Sequence, residues 1–128
     1  MKILRNIWIL EYSGIVLYHR KYDDTVLPQL FGAMMSALNI FAESLSEGLL
    51  SFEVGLIRFT TIKKNNLLFT ATTTIKISPK KVSKELKKIS KRFFQNYSEK
   101  IKNFKGNIDD FIDFASKIES SIEDKEEI

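Results

Sequence analysis

The chain has 128 residues, the size of one domain with a single core, and it has no cysteine, so a disulfide framework, a thiolate metal site and a cysteine nucleophile are excluded. With 44% apolar and 28% charged residues it reads as an ordinary folded domain, and its first apolar run, Ile7–Leu10, is too short for a signal peptide or a bilayer span, so a cytoplasmic location is expected. The net charge of +4 is unevenly placed: Lys80–Lys105 holds 10 basic residues against Glu85 and Glu99, whereas Gly106–Ile128 holds 8 acidic residues against Lys117 and Lys125. Adjacent segments of opposite sign can partly neutralise each other in space.

Taken in chain order, Leu4–Tyr12 and Ile15–Tyr22 read as two strands joined by a tight Ser13-Gly14 turn. Apolar residues occupy both faces of the first, with Ile7 and Ile9 opposite Trp8, Leu10 and Tyr12, as suits a central strand. The second is polar in its C-terminal half and suits a sheet edge. An amphipathic helix over Asp24–Ser46 follows, with Asp23 or Asp24 as N-cap, Pro28 in the first turn and Gly48 as the stop. Its apolar stripe is Leu27, Leu30, Phe31, Met34, Leu38, Phe41 and Leu45. Three short strands come next, Leu50–Val54, Leu56–Lys63 and Leu67–Thr74, separated by turns at Gly55 and at Lys64-Asn65-Asn66. The threonines at 70, 72, 73 and 74 predict one solvated face.

Ser78-Pro79 opens a long basic helix, with Val82, Leu86, Ile89, Phe93, Tyr97, Ile101 and Phe104 as its buried stripe and Gly106 as its end. The pattern predicts a last helix over Ile108–Glu123, with Ile108, Phe111, Ala115, Ile118 and Ile122 on one side. A single domain over residues 1–123 and a frayed acidic tail over 124–128 are expected.

Few residues carry chemistry. His19 is the single histidine, which leaves no histidine cluster for a metal, and it reads as a surface residue on an edge strand. Phosphate loops, nucleophile elbows and zinc motifs are absent from the sequence. Asp109, Asp110 and Asp113 lack the spacing and glycine of a calcium loop and fit the first turn of a helix. Catalytic residues, cofactors and metals are therefore not predicted.

Two surfaces remain. Lys80, Lys81, Lys84, Lys87, Lys88, Lys91 and Arg92 could touch nucleic acid or an anionic membrane surface, though lysine dominates and only Phe94 adds an aromatic residue on that side. On the first helix, Gly32, Met35, Ser36, Asn39 and Ile40 lie away from the apolar stripe, where small residues would admit a second backbone. They form a candidate partner or homodimer surface; the alternative is packing under the C-terminal helix. A ligand-sensing domain is a further option, but it would need a pocket and the sequence shows no convergent polar cluster to line one.

The stretch IWILEYSGIVLYHRKY, then LFGAMMSALNIFAESLS, SFEVGLIRFTTIKKNNLLFTATTT, resembles a longin-type domain of the longin/roadblock superfamily, and is similar to archaeal longin-like proteins. The resemblance implies a mixed α/β fold: a five-stranded antiparallel sheet of order 2-1-5-4-3 between one helix on one face and two C-terminal helices on the other. It also implies a non-enzymatic scaffold in a membrane-trafficking type of system, dimerising and binding a small GTPase or another longin/roadblock subunit. In that topology Ser51, Phe52 and Glu53 lie on an outer strand whose edge could receive a partner strand. Within this sequence neither heptads nor a membrane anchor follow the domain, so the role of the vesicle fusion proteins of that superfamily is not expected.

Overall fold

Alternating side chains place two apolar layers on opposite faces of one sheet. In the computed structural model, which describes residues 3–22, 28–43, 49–102, 111, 113, 114, 117 and 118 (backbone only for 28–33 and 102), the elements are β1 (Ile7–Glu11), β2 (Val16–Arg20), α1 (Pro28–Glu43), β3 (Leu49–Val54), β4 (Ile57–Lys64), β5 (Leu67–Thr74) and α2 (Pro79–Lys102). They build a five-stranded antiparallel sheet of order β2-β1-β5-β4-β3, the order expected. The first hairpin strands are shorter than predicted. Their turn takes in Tyr12, Ser13 and Gly14, closed by Gly14 N–H donating to the Glu11 carbonyl at 2.9 Å and Glu11 N–H to that of Ile15 at 2.9 Å. Gly14 has φ +97°, which a side chain would strain.

One face of the sheet carries Ile7, Ile9, Leu17, Ile62, Leu67, Phe69 and Ala71, buried beneath the α2 stripe Val82, Leu86, Ile89, Phe93 and Tyr97. Ile101 packs against this core half-buried, whereas Phe104 and Gly106 lie outside the described residues. Phe111, Phe114 and Ile118 are buried in the same core, and Phe93 is its aromatic hub, with ring centroids 5.1 Å from Phe114, 5.2 Å from Tyr97 and 5.4 Å from Phe111. The last helix as an element, and the 124–128 tail, lie outside the described residues.

The other face carries Trp8, Leu10, Phe59 and Leu68, covered by Met34, Leu38 and Phe41 of α1. The ends of α1 predicted at 24–27 and 44–46, the caps at Asp23, Asp24 and Gly48, and the side chains of Leu27, Leu30, Phe31 and Leu45 lie outside the described residues. Lys63 of β4 holds the last turn of α1: its ammonium donates to the Phe41 carbonyl at 2.9 Å and sits 4.7 Å from the centre of the Phe41 ring. A cation there satisfies a helix-end carbonyl and complements the negative end of the helix dipole.

Two expectations are corrected. The threonine face of β5 is not solvated, because β5 is central: Thr70, Thr72 and Thr73 are buried. Their hydroxyls are used internally, Thr70 pairing with Thr61 across the ladder at 2.8 Å and Thr72 Oγ1 accepting from the Asn6 backbone N–H at 2.9 Å and its amide Nδ2 at 3.1 Å. Phe94 is not an exposed aromatic on the basic side: it packs half-buried on the sheet, 5.8 Å from Phe69. His19 is exposed on the edge strand β2, as expected, and stacks on Trp8 with centroids 4.8 Å apart and ring planes 11° apart, set opposite by the Trp8–His19 register.

Candidate protein-interaction surface

The rotation of α1 is fixed by the side chains it buries, and that rotation decides what it offers outward. With Met34, Leu38 and Phe41 turned to the sheet, Ser36, Asn39 and Ile40 are exposed, and Ile40 is 72% accessible. Met35 points differently from its predicted companions. It is half-buried against the core and reaches the β1–β2 turn, where its terminal methyl lies 3.4 Å from the place a Cβ would take at Gly14. Gly32 lies on the α1 backbone; its surroundings are outside the described residues.

Between α1 and the β1–β2 turn runs an open cleft of about 290 Å³, with Leu10, Tyr12, Gly14, Met35, Ser36 and Asn39 among its walls. The Glu11 carboxylate also lines it and accepts a hydrogen bond from the Ser13 hydroxyl at 3.2 Å. Buried Leu10, Leu38 and Leu68 line it together with the polar Glu11, Ser13, Ser36 and Asn39, a mixed lining of the kind that receives a ligand or a partner side chain. Sequence reasoning picked out Met35, Ser36 and Asn39 but missed the cleft, which exists only because the turn and the helix meet. The one local signal was Gly14.

The second candidate surface is β3, the outer strand beside β4. Phe52 is half-buried and stacks on Phe59 with centroids 5.0 Å apart, so its ring faces the α1 layer. Glu53 is engaged across the ladder by Arg58 at 2.9 Å, and Arg58 also donates to the Ile75 carbonyl at 2.9 Å. What β3 presents sideways is therefore its backbone, with Ser51 at mid-strand and the exposed Leu49 and Leu56 at either end. The alternative basic surface is separate: Lys80, Lys81, Lys84, Lys87, Lys88, Lys91 and Arg92 are all exposed on α2, in the layer opposite α1. Among the described residues there is no cluster of three or more histidines, aspartates and glutamates able to hold a metal, and no helix long and apolar enough to cross a membrane.

Titration reports structure more than chemistry here. Burial beside Trp8, with the Lys21 charge adding to it, holds the His19 pKa below its usual value. The Tyr97 hydroxyl donates to Asp113 at 2.6 Å; burial and this bond push the tyrosine up, and the same bond is the main cause holding the Asp113 carboxyl below its usual value.

No protein-family model and no curated protein sequence matches the chain. Among solved structures it is similar to a chain of the signal recognition particle receptor SRb-GTP/SRX complex from Chaetomium thermophilum, with 25% identity and a TM-score of 0.57 over 91% of this chain and 95% of that one. It is also similar to a chain in the structure of the mammalian signal recognition particle receptor, with 15% identity and a TM-score of 0.50 over 94% and 98% of the two chains. The strand order and these likenesses define the class: the fold is longin-like.

Proposed function

We propose that the chain is a non-enzymatic longin-like scaffold that binds a small GTPase, or another longin/roadblock subunit, in a membrane-targeting system. The observation that carries this reading is the end-to-end likeness to a chain of a complex containing GTP-bound SRb, at 25% identity. The surfaces support it. Ser36, Asn39 and the 72% exposed Ile40 form an outward helix face beside a cleft that can receive a side chain. The edge of β3 at Ser51, Phe52 and Glu53 offers a row of backbone groups to a partner strand, so that a second subunit extends the sheet.

The test is nucleotide-dependent capture. The tagged chain is used as bait in lysate from its own organism, loaded in parallel with GDP or a non-hydrolysable GTP analogue, and bound proteins are identified by mass. A small GTPase retained only in the GTP-analogue arm, and lost with Ser36→Arg, is the expected result. Recovery of neither a GTPase nor a longin/roadblock subunit in either arm overturns the proposal.

A further inference from the structure

Among the described residues, nothing consumes the basic face of α2. Lys80, Lys84, Lys87 and Lys91 recur at steps of four, three and four, which stacks them in one stripe, and Lys81, Lys88 and Arg92 flank it. The stripe lies directly opposite the buried residues Val82, Leu86, Ile89 and Phe93, so it faces away from the sheet. The side-chain ammonium groups of Lys80, Lys81, Lys84, Lys87 and Lys91 make no hydrogen bond or ion pair with any described residue. Glu85, the one acid within this stretch, is 6% exposed and bridged to Lys88 at 3.4 Å, so it offsets one of the seven charges.

Among the described residues, the acidic segment that follows meets α2 at Arg92, the end of the basic stretch, and at Tyr97 beyond it. Asp113 accepts from Tyr97, and Arg92 donates to the Lys117 carbonyl at 2.8 Å. The neutralisation expected from the sequence therefore does not reach the lysine stripe through any described contact.

We propose that this face docks the protein on an anionic lipid surface. Its form favours a membrane over nucleic acid. From Lys80 to Arg92 the stripe is a convex rod face about 18 Å long, without a groove to track a strand. Phe93 and Tyr97 are buried and Phe94 packs on the sheet, so no ring is presented for base stacking. Six of the seven cations are lysines, which act as point charges toward headgroups rather than as forks that read base edges. Because the apolar side of α2 is committed to the core, docking is electrostatic, without insertion, reversible and salt-sensitive. It is independent of the partner surface, which lies on the other layer.

Vesicle co-sedimentation of the full chain tests this. The probes are phosphatidylcholine vesicles with and without phosphatidylserine, at low and at moderate salt. The expected result is binding to the phosphatidylserine vesicles only, lost at moderate salt and weakened roughly a hundredfold by the triple variant Lys84→Gln, Lys87→Gln, Lys91→Gln. Ile40→Gln, on the opposite layer, leaves it unchanged. Circular dichroism of the triple variant verifies that the fold is retained. Equal binding to pure phosphatidylcholine, no loss in the folded triple variant, or displacement from vesicles by a lower charge concentration of duplex DNA overturns the proposal.

Discussion

Ile40→Gln separates the interface from the fold. In the free chain the Ile40 side chain is 72% exposed on α1, outside both buried cores. Its replacement opens no cavity, and glutamine is the better helix former, so the stability of the isolated chain stays within about 0.5 kcal/mol of the original. Binding is different. Burying a whole isoleucine is worth about 1.5–3 kcal/mol, and with 72% of this residue still to be buried, roughly 1–2 kcal/mol is at stake. An amide left unpaired in the contact adds about 1 kcal/mol. The affinity for a GTP-loaded partner should therefore fall roughly 30- to 150-fold. Isothermal titration gives the affinity, and urea unfolding of the free chain gives the stability. Unchanged affinity would remove Ile40 from the interface. A loss of stability beyond about 1 kcal/mol would show that the outward face of α1 is structural.

Three further outcomes follow from the packing. Phe93→Ala removes the hub that ties Phe69, Tyr97, Phe111 and Phe114 together and should cost about 3–5 kcal/mol, read as a lowered urea midpoint at unchanged slope. Tyr97→Phe deletes the bond to Asp113, so the carboxyl pKa of Asp113 should rise toward its usual value in an NMR titration; no movement would mean that the bond does not form in solution. His19 has a folded pKa below its unfolded value near 6.5, so the unfolded chain takes up its proton first as pH falls. Stability contributed by neutral His19 is full above that value, declines as pH drops through it, and levels off below the folded pKa. His19→Gln should flatten that part of the stability–pH curve.

The fold was largely legible because each strand declares its layers. Apolar residues on both faces of β1 mark a strand with helices on either side, and the stripe Val82, Leu86, Ile89, Phe93 and Tyr97 fixes the face of α2. Turn chemistry was legible too: Asn65 and Asn66 adopt φ 50° and 65°, and Gly55 φ 61°, where the sequence places tight turns. The threonines of β5 misled, since threonine is polar enough to face water yet a hydroxyl can be satisfied by Thr61 or Asn6 within the sheet, and pairing partners are not local information. Phe94 misled for a related reason: it sits at the border of the helical stripe, where ring contacts with Phe69 and Phe93, not periodicity, decide burial.

The candidate site was readable only in part. Ser36, Asn39 and Ile40 follow from helical spacing once Met34, Leu38 and Phe41 are assigned inward. Met35 bends toward the hairpin turn because Gly14 leaves it room, and that approach makes the cleft. Glu53 was legible only as part of an outer strand edge; the β3–β4 register that sets it against Arg58 is not local information.

Chemical-shift mapping of the isotope-labelled chain against its GTP-loaded partner tests the central claim most directly. The predicted result is perturbation centred on Ser36, Asn39 and Ile40, with Ser51–Glu53 of β3 joining if a strand is added, and no comparable change with the GDP-loaded partner. Equal perturbation in both nucleotide states, or a footprint confined to Lys80–Arg92, would contradict it.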